Sequence, residues 1–231
     1  MFFFDPTYLV FMIPAFILMG ITSWYVRQAY SRWSRVRAGS GLTGYQAAQR
    51  LIATGSIYGL QIQGAAGELT DHYDPRNKTL FLSSGVANSP SVASVAIAAH
   101  ELGHAMQDAE EYFPLRFRSA IVPMVNIGSN LGWIFIMVGL LLRWTNLAWL
   151  GVLFFAGGAV FALATLPVEF NASARARQLL VQTGIIQSEA EMRGVNSVLN
   201  AAALTYVAGL ITAVLQLLYY VFLVGGGRRR D

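Results

Sequence analysis

The chain contains no cysteine, which removes a disulfide-stapled fold, a thiolate metal site and a cysteine nucleophile together. Charge is scarce as well. Asp, Glu, Lys and Arg make up 12% of the 231 residues, about half the share a soluble domain carries. Lysine is almost missing: Lys78 stands alone beside the arginines, and the net charge is +4. In a chain this apolar, basic residues read first as orientation signals at a membrane surface. No interleaving of aromatic and basic residues of the kind that grips nucleic acid is visible, so a nucleic-acid partner is not expected. Internal repeats are absent, and low complexity is confined to the short Gly225–Arg230 tail.

What the chain has instead is hydrophobic residues, at 55%. They fall in four blocks: Tyr8 to Val26, about Ile121 to Leu142, about Leu147 to Leu166, and about Thr205 to Val224. Crossing a bilayer takes about 20 helical residues, so each block is long enough. The first lacks a basic n-region and a nearby A-x-A-like cleavage site, and reads as an anchor rather than a signal peptide. Trp24, Tyr25, Trp144, Trp149, Tyr219 and Tyr220 lie near block ends, where amphipathic rings favour the interface. Gly128, Gly132, Gly139, Gly157 and Gly158 would let the second and third helices pack closely.

The blocks divide the chain into a first transmembrane helix (1–26), a soluble domain (27–118), transmembrane helices two and three (119–166), a helical segment (167–204), a fourth transmembrane helix (205–224) and a basic tail (225–231). With four spans, both soluble stretches lie on one side. They hold most of the basic residues, including Arg27, Arg32, Arg35 and Arg37 directly after the first span. The positive-inside rule therefore places them in the cytoplasm; the Arg228–Arg230 tail argues the other way.

Inside 27–118, Thr43 caps a helix expected over Gly44 to Thr54, stopped by Gly55. Residues 57–63 and 78–83 read as strands, the second after a turn at Asp74–Asn77. Asn88 or Ser89 as cap, with Pro90 at the first helical position, starts a helix running to about Asp108. In the second stretch, 169–183 reads as a helix beginning after Pro167 and stopped by Gly184. Ser188 and Glu191 then form a capping box opening a helix into the fourth span.

The helix expected to end near Asp108 contains HELGH at positions 100–104. Residues four apart share a helix face, so His100 and His104 can offer two imidazoles to one metal, with Glu101 beside them. With three histidines in the chain, this motif arises by chance about once in a thousand such sequences. The chemistry it fits is hydrolysis. Zinc acts as Lewis acid and lowers the pKa of its water to about 7, and Glu101 takes the water's proton as general base and passes it to the leaving amine.

A catalytic zinc needs a third protein ligand and one open position. Without cysteine, the candidates are His72 and the carboxylates. Glu169 is preferred: it lies where the third span re-emerges, among Leu166, Pro167, Val168 and Phe170, where a carboxylate without a partner is costly. An acid favoured by a helix N-terminus is the plainer alternative. His72, in Asp71–Pro75, could donate a hydrogen bond in the transition state, replace Glu169, or build a second metal site with Asp71 and Asp74; an exposed loop histidine is the bland alternative. Tyr112, Tyr73 and Arg175 are weaker candidates for oxyanion stabilisation. Asp108, Glu110 and Glu111 read as a solvated helix end, and the edge of strand 78–83 could pair with an extended peptide. An intramembrane protease, with its motif inside a span, fits less well, because the apolar part of the HELGH helix is short and flanked by polar residues.

Three segments carry a resemblance: LTDHYDP (69–75), SVASVAIAAHELGHAMQD (91–108) and LPVEFNASARA (166–176). In these the chain resembles membrane zinc metallopeptidases of the YugP type, over nearly its whole length. The resemblance implies His100, His104 and Glu169 as ligands and Glu101 as general base. More distantly the chain is similar to membrane zinc proteases of the HtpX and CAAX-processing kind. Those usually carry an Asp four residues after the ligand Glu, where Ser173 stands here. The closer family often has Asp at the position of Asn171. Both positions bear on how the metal-facing histidines are supported.

These readings converge on an α-helical multi-pass membrane protein with about four transmembrane helices and a small α+β zincin-like catalytic domain at the membrane surface. One Zn2+ per chain is expected, with Glu101 as catalytic base and His72, Asn171, Tyr112 and Arg175 as outer or oxyanion groups. The expected partners are the lipid bilayer and a membrane-associated protein or peptide substrate, with a homo-oligomer or a regulatory membrane partner also open. The expected location is the bacterial plasma membrane, with the active site facing the cytoplasm. The alternative is a non-catalytic scaffold or pseudoprotease that keeps the fold. A metal transporter fits poorly, since no ionisable residue lies mid-block in any span.

Overall fold

The computed structural model of the chain describes residues 6–55, 57 and 59–226; the Arg228–Arg230 tail lies outside them. The fold is mostly helical with one small sheet. Its elements are α1 (Pro6–Trp33), α2 (Gly44–Thr54), β1 (Gln61–Ala65), β2 (His72–Asp74), β3 (Thr79–Ser83), α3 (Ser84–Ala87), α4 (Val92–Ala109), α5 (Phe113–Leu141), α6 (Thr145–Gln182) and α7 (Glu189–Gly226).

Four of these, α1, α5, α6 and α7, are long and apolar enough to cross a membrane, and at most 22% of each one's apolar window is buried inside the protein. The remaining apolar surface faces outward, as lipid-facing helices require. The contacts divide the chain into two compact units.

The first unit contains α1 up to Thr22, Phe117–Leu166 and the chain from Thr205. Its α5 and the first part of α6 come together through small residues. A Cβ on Gly139 would lie 2.5 Å from the Ala148 nitrogen, and one on Gly151 2.6 Å from the Gly132 oxygen. Backbones this close exchange dispersion and Cα–H contacts that bulkier residues would block. Gly157 and Gly158, expected to serve the same packing, have no atom within 3.7 Å of such a Cβ; Gly151 takes their place. Tyr219 and Tyr220 are buried, at 3% and 8% exposure, and do not form an interfacial belt. They stack edge-on against Tyr8 and Phe155, with centroids 5.1 and 4.7 Å away, because α7 turns them toward its neighbouring helices.

The second unit is Ser23–Arg116 with Pro167–Leu204. Its core is built by Leu51 of α2, Leu80 and Leu82 of β3, Val95 and Leu102 of α4, Leu180 of α6, Ile185, and Leu199 of α7. Helix α4 is covered on nearly every side, with Val92–Ala96, Ala98, Ala99, Leu102 and Ala105 all buried. Its Ala-rich sequence suits that position, because small side chains let neighbours approach from all directions. Helix α2 opens with a full capping box: Thr43 accepts from the Gln46 N–H while Gln46 accepts from the Thr43 N–H.

Three sequence expectations need correction here. First, the strand expected over 57–63 begins only at Gln61 and runs to Ala65; Tyr58 lies outside the described residues. Second, β3 is not an edge. The sheet order is β1-β3-β2, with β1 parallel and β2 antiparallel to β3, so both its sides are taken and no peptide can add to it. Third, α4 starts at Val92 with Ser91 as cap, not at Pro90. Residues 89–92 are held extended by main-chain bonds to 36–44: Ala38 N to Pro90 O, Gly44 N to Ser89 O and Val92 N to Val36 O.

The C-terminal part of α6 ends as expected at Gly184, whose φ of +64° is a conformation glycine adopts freely. The start of α6 is different. Pro167 lies inside a continuous helix from Thr145 to Gln182 rather than ahead of a new one. A proline removes one N–H from the ladder, and membrane helices tolerate that where neighbours compensate. Helix α7 begins with the expected capping box, the Ser188 hydroxyl accepting from Glu191 N and Glu191 from Ser188 N.

Glu191 does more than cap. Its carboxylate also accepts the N–H of Gly39 and that of Gln187 at 3.1 Å, fastening the segment after α1 to the start of α7. Burial opposes its ionisation, but these donors outweigh burial and hold its pKa below the ordinary carboxylate range. A depressed folded pKa means stability that is present above the unfolded value and lost as pH falls through the folded one. We expect Glu191→Gln to lower thermal stability by about 1–3 kcal/mol at neutral pH. We also expect the difference from wild type to shrink in acid below the ordinary carboxylate range. Melting curves of the detergent-solubilised chain against pH check both; a gap that widens in acid would contradict the assignment.

Candidate metal centre

Helix α4 puts His100 and His104 one turn apart on the same face, their rings nearly perpendicular with centroids 4.9 Å apart. Glu169 comes from α6. Its Oε2 lies 3.4 Å from His100 Nε2 and 3.5 Å from His104 Nε2. One ligand atom from each of the three lies within 4.8 Å of the others, the only such His/Asp/Glu group among the described residues. All three belong to the second unit.

The convergence has a local cause. Residues 103 and 172 are where α4 and α6 meet, and a Cβ on Gly103 would sit 2.5 Å from the Ala172 carbonyl oxygen. The glycine of HELGH thus admits the second helix to the turn that carries both imidazoles. Glu169, one turn earlier on α6, then reaches them.

Whether this set fits zinc can be tested by distance. Tetrahedral zinc with bonds of about 2.0–2.1 Å separates its ligand atoms by roughly 3.3–3.4 Å. The two His–Glu separations, 3.4 and 3.5 Å, match that edge. Two imidazoles and one carboxylate are also a donor set zinc accepts in catalytic sites. The residues fit the ion.

The electrostatics point the same way. Burial alone would push Glu169 up, but His100 and His104 overcome it and hold its carboxyl well below the usual carboxylate range. Burial disfavours charge on His104, yet the carboxylates of Glu169 and Glu101 keep its pKa above the ordinary histidine value. The centre therefore favours positive charge between these groups. Glu101 behaves differently. Burial raises its pKa, His100 and His104 pull it back in part, and Glu169 and Asp71 add to the rise. Its Oε2 accepts the main-chain N–H of Tyr73 at 3.1 Å, which ties strand β2 to the HELGH helix.

The outer groups fall differently from the sequence expectation. His72 is exposed, bonds the Thr70 carbonyl through Nδ1 at 2.8 Å and stacks on Phe81; it is not brought to the centre. No second metal site forms with Asp71 and Asp74, because Asp71 accepts from Ser83 and Asp74 from Arg76 N and the Asn77 side chain. Arg175 is engaged elsewhere. It grips Glu110 through two bonds of 2.7 Å and lies over the Tyr112 ring at 5.9 Å. Tyr112 thus packs against Arg175. The helix end read as solvated is tied down in two places, by Glu110 to Arg175 and by Asp108 to the Tyr73 hydroxyl at 2.7 Å. Asn171 Oδ1 accepts from Arg175 Nε at 2.7 Å and from Gln107 Nε2 at 2.9 Å. Ser173 Oγ lies 3.2 Å from His100 Nδ1.

Gln107 is a residue that the sequence alone does not mark. It is fully buried, and its Oε1 lies 3.0 Å from His104 Nδ1. Its position three residues after His104, on the same helix face, was the available signal.

Comparison with known proteins agrees with this geometry in kind. A family model described as "Putative neutral zinc metallopeptidase" matches residues 8–225. The chain is 39% identical over 223 residues to "Putative membrane protease YugP" of Bacillus subtilis (strain 168), a match covering 95% of this chain and 99% of that protein. No solved structure matches the chain.

The close approach at Gly103 yields a test. Gly103→Ala should force α4 and α6 apart, lowering stability by about 1–3 kcal/mol and reducing the zinc retained per chain. Melting temperature and elemental analysis on the same preparation read both; unchanged values would mean the two helices are not held this close.

Proposed function

The chain belongs to the family described as "Putative neutral zinc metallopeptidase", and from that premise we propose that it is a membrane-embedded zinc endopeptidase of zincin type. The carrying observation is the meeting of both histidine Nε2 atoms on one Glu169 oxygen at 3.4 and 3.5 Å, next to Glu101. In this reading His100, His104 and Glu169 hold one zinc and leave a fourth position open. Zinc, when bound, supplies Lewis acidity and lowers the pKa of water to about 7.

The chain's own groups do the rest. Glu101 has one oxygen engaged by the Tyr73 N–H, so Oε1 serves as proton acceptor. Its raised pKa makes it a better base than an ordinary carboxylate once water is there to be deprotonated. It then returns the proton to the leaving amine. Ser173 and Gln107 hold the far nitrogens of the two imidazoles. The proposed substrates are membrane-associated or misfolded proteins, since Glu169 follows the third apolar block by only three residues. The basic residues after the first span support a plasma-membrane protein whose catalytic domain faces the cytoplasm.

Glu101→Gln should cut peptide cleavage by about 10²–10⁴-fold or more while zinc per chain stays near one. Glu169→Ala should lose most of the zinc. Activity retained in the first variant would remove Glu101 from its role, and full zinc in the second would exclude Glu169 as a ligand. A wild type that binds zinc but cleaves no membrane-associated polypeptide would favour a scaffold. For topology, a cysteine introduced by Ser84→Cys, at an exposed position of α3, should react only with reagents that enter the cytoplasm. Labelling by an impermeant reagent on intact cells would invert the orientation.

A further inference from the structure

The Gln107 side chain touches His104, Val168 and Asn171, and its amide can face only one way. Its Nε2 lies 2.8 Å from the Val168 main-chain carbonyl and 2.9 Å from Asn171 Oδ1. A carbonyl only accepts, so the Gln107 group facing it must be the NH2. The Asn171 atom must likewise be an acceptor, because Arg175, which only donates, reaches the same atom at 2.7 Å. Arg175 is in turn held by both oxygens of Glu110. Every link ends on a group whose role cannot be exchanged.

The consequence falls on His104. With its NH2 committed, Gln107 presents Oε1 to His104 Nδ1 at 3.0 Å. That nitrogen must then carry a proton, so in the neutral imidazole that binds a metal the lone pair is on Nε2, the atom 3.5 Å from Glu169 Oε2. An imidazole with the proton on Nε2 could not bind a metal there. His100 has no such constraint, for its Nδ1 partner is the Ser173 hydroxyl, which can donate or accept.

We propose that Gln107 is a positioning residue that fixes His104 as the Nδ1-protonated tautomer and so aims Nε2 at the metal, its own amide being oriented by the Val168 carbonyl and by Asn171 under Arg175. This rests on the zinc site proposed above. Both bonds at position 171 fall on the side-chain oxygen, and an aspartate there would accept from the same two donors.

The test uses the full chain in detergent, stripped with a chelator and reloaded with zinc or cobalt(II). Gln107→Leu should weaken zinc binding about 10–100-fold in competition with a chromophoric chelator, and should shift the cobalt(II) absorption bands. A residue that merely fills space would lower the melting temperature of metal-free and loaded protein alike and leave affinity and bands unchanged. That result in Gln107→Leu overturns the proposal. Should Gln107→Leu fail to fold, nitrogen-15 spectra of the histidines in the zinc-loaded wild type decide. His104 should carry its proton on Nδ1 and metal on Nε2; coordination through Nδ1 overturns it. A wild type that takes up no zinc overturns the underlying metal site, and is seen before any variant is compared.

Discussion

At one point, Gly103 against Ala172, α4 and α6 lie so near that a single methyl group would strike main chain. Much of what is distinctive in this molecule depends on that contact. His100 and His104 are neighbours by helix geometry alone, but Glu169 is far from them in sequence and can meet them only if its helix is admitted to within backbone distance. The glycine admits it. The same approach brings Val168 and Asn171 within reach of Gln107 and Ser173 within reach of His100. Five polar contacts therefore follow from the absence of one side chain.

Burying a carboxylate and two imidazoles in an alanine-rich core is costly unless each is paired. The chain meets this requirement outward from the centre. Glu169 is compensated by the imidazoles, His104 by Gln107, Gln107 by Val168 and Asn171, and Asn171 by Arg175, which ends on Glu110 at the surface. Arg175 and Glu110 offset each other at the outer end of this line, which leaves the negative charge of Glu169 to the groups at the centre.

Legibility in the sequence followed the length of the signal. The four long apolar helices, α2 with its Thr43 cap, and the capping box of α7 rest on many residues or on motifs with fixed spacing, and all are legible. HELGH was legible because two histidines and a glutamate at helical spacing are improbable by chance. Glu169 was reached by asking what an acid does among apolar neighbours. The failures were short or relational. Strand β2 has only His72–Asp74, too few residues to show alternation, and it exists because β3 and the Glu101 carboxylate bind its two edges. Gln107 looked ordinary because its importance lies in what Val168 and Asn171 present to it, and those belong to another helix. Arg175 bonds Glu110 and Asn171, partners that sequence spacing alone does not reveal.

The misreading of Pro167 carries a further step. Read as a helix start, it left Glu169 near an N-terminus, where the dipole and unbonded N–H groups would stabilise a carboxylate without help. In a continuous α6 that help is gone: the N–H groups around residue 169 are engaged within the helix, and the macrodipole acts at ends more than a dozen residues away. The charge on Glu169 must then be balanced through its side chain, and the groups converging on it are the two imidazoles of HELGH. An acid so placed, buried at 3% exposure and dependent on its partners for ionisation, is poorly explained by fold stability, since an apolar residue would pack there at less cost. It is well explained by a cation held at the point where the three side chains converge. The helix continuing through proline is therefore an argument for the metal as well as a detail of the fold.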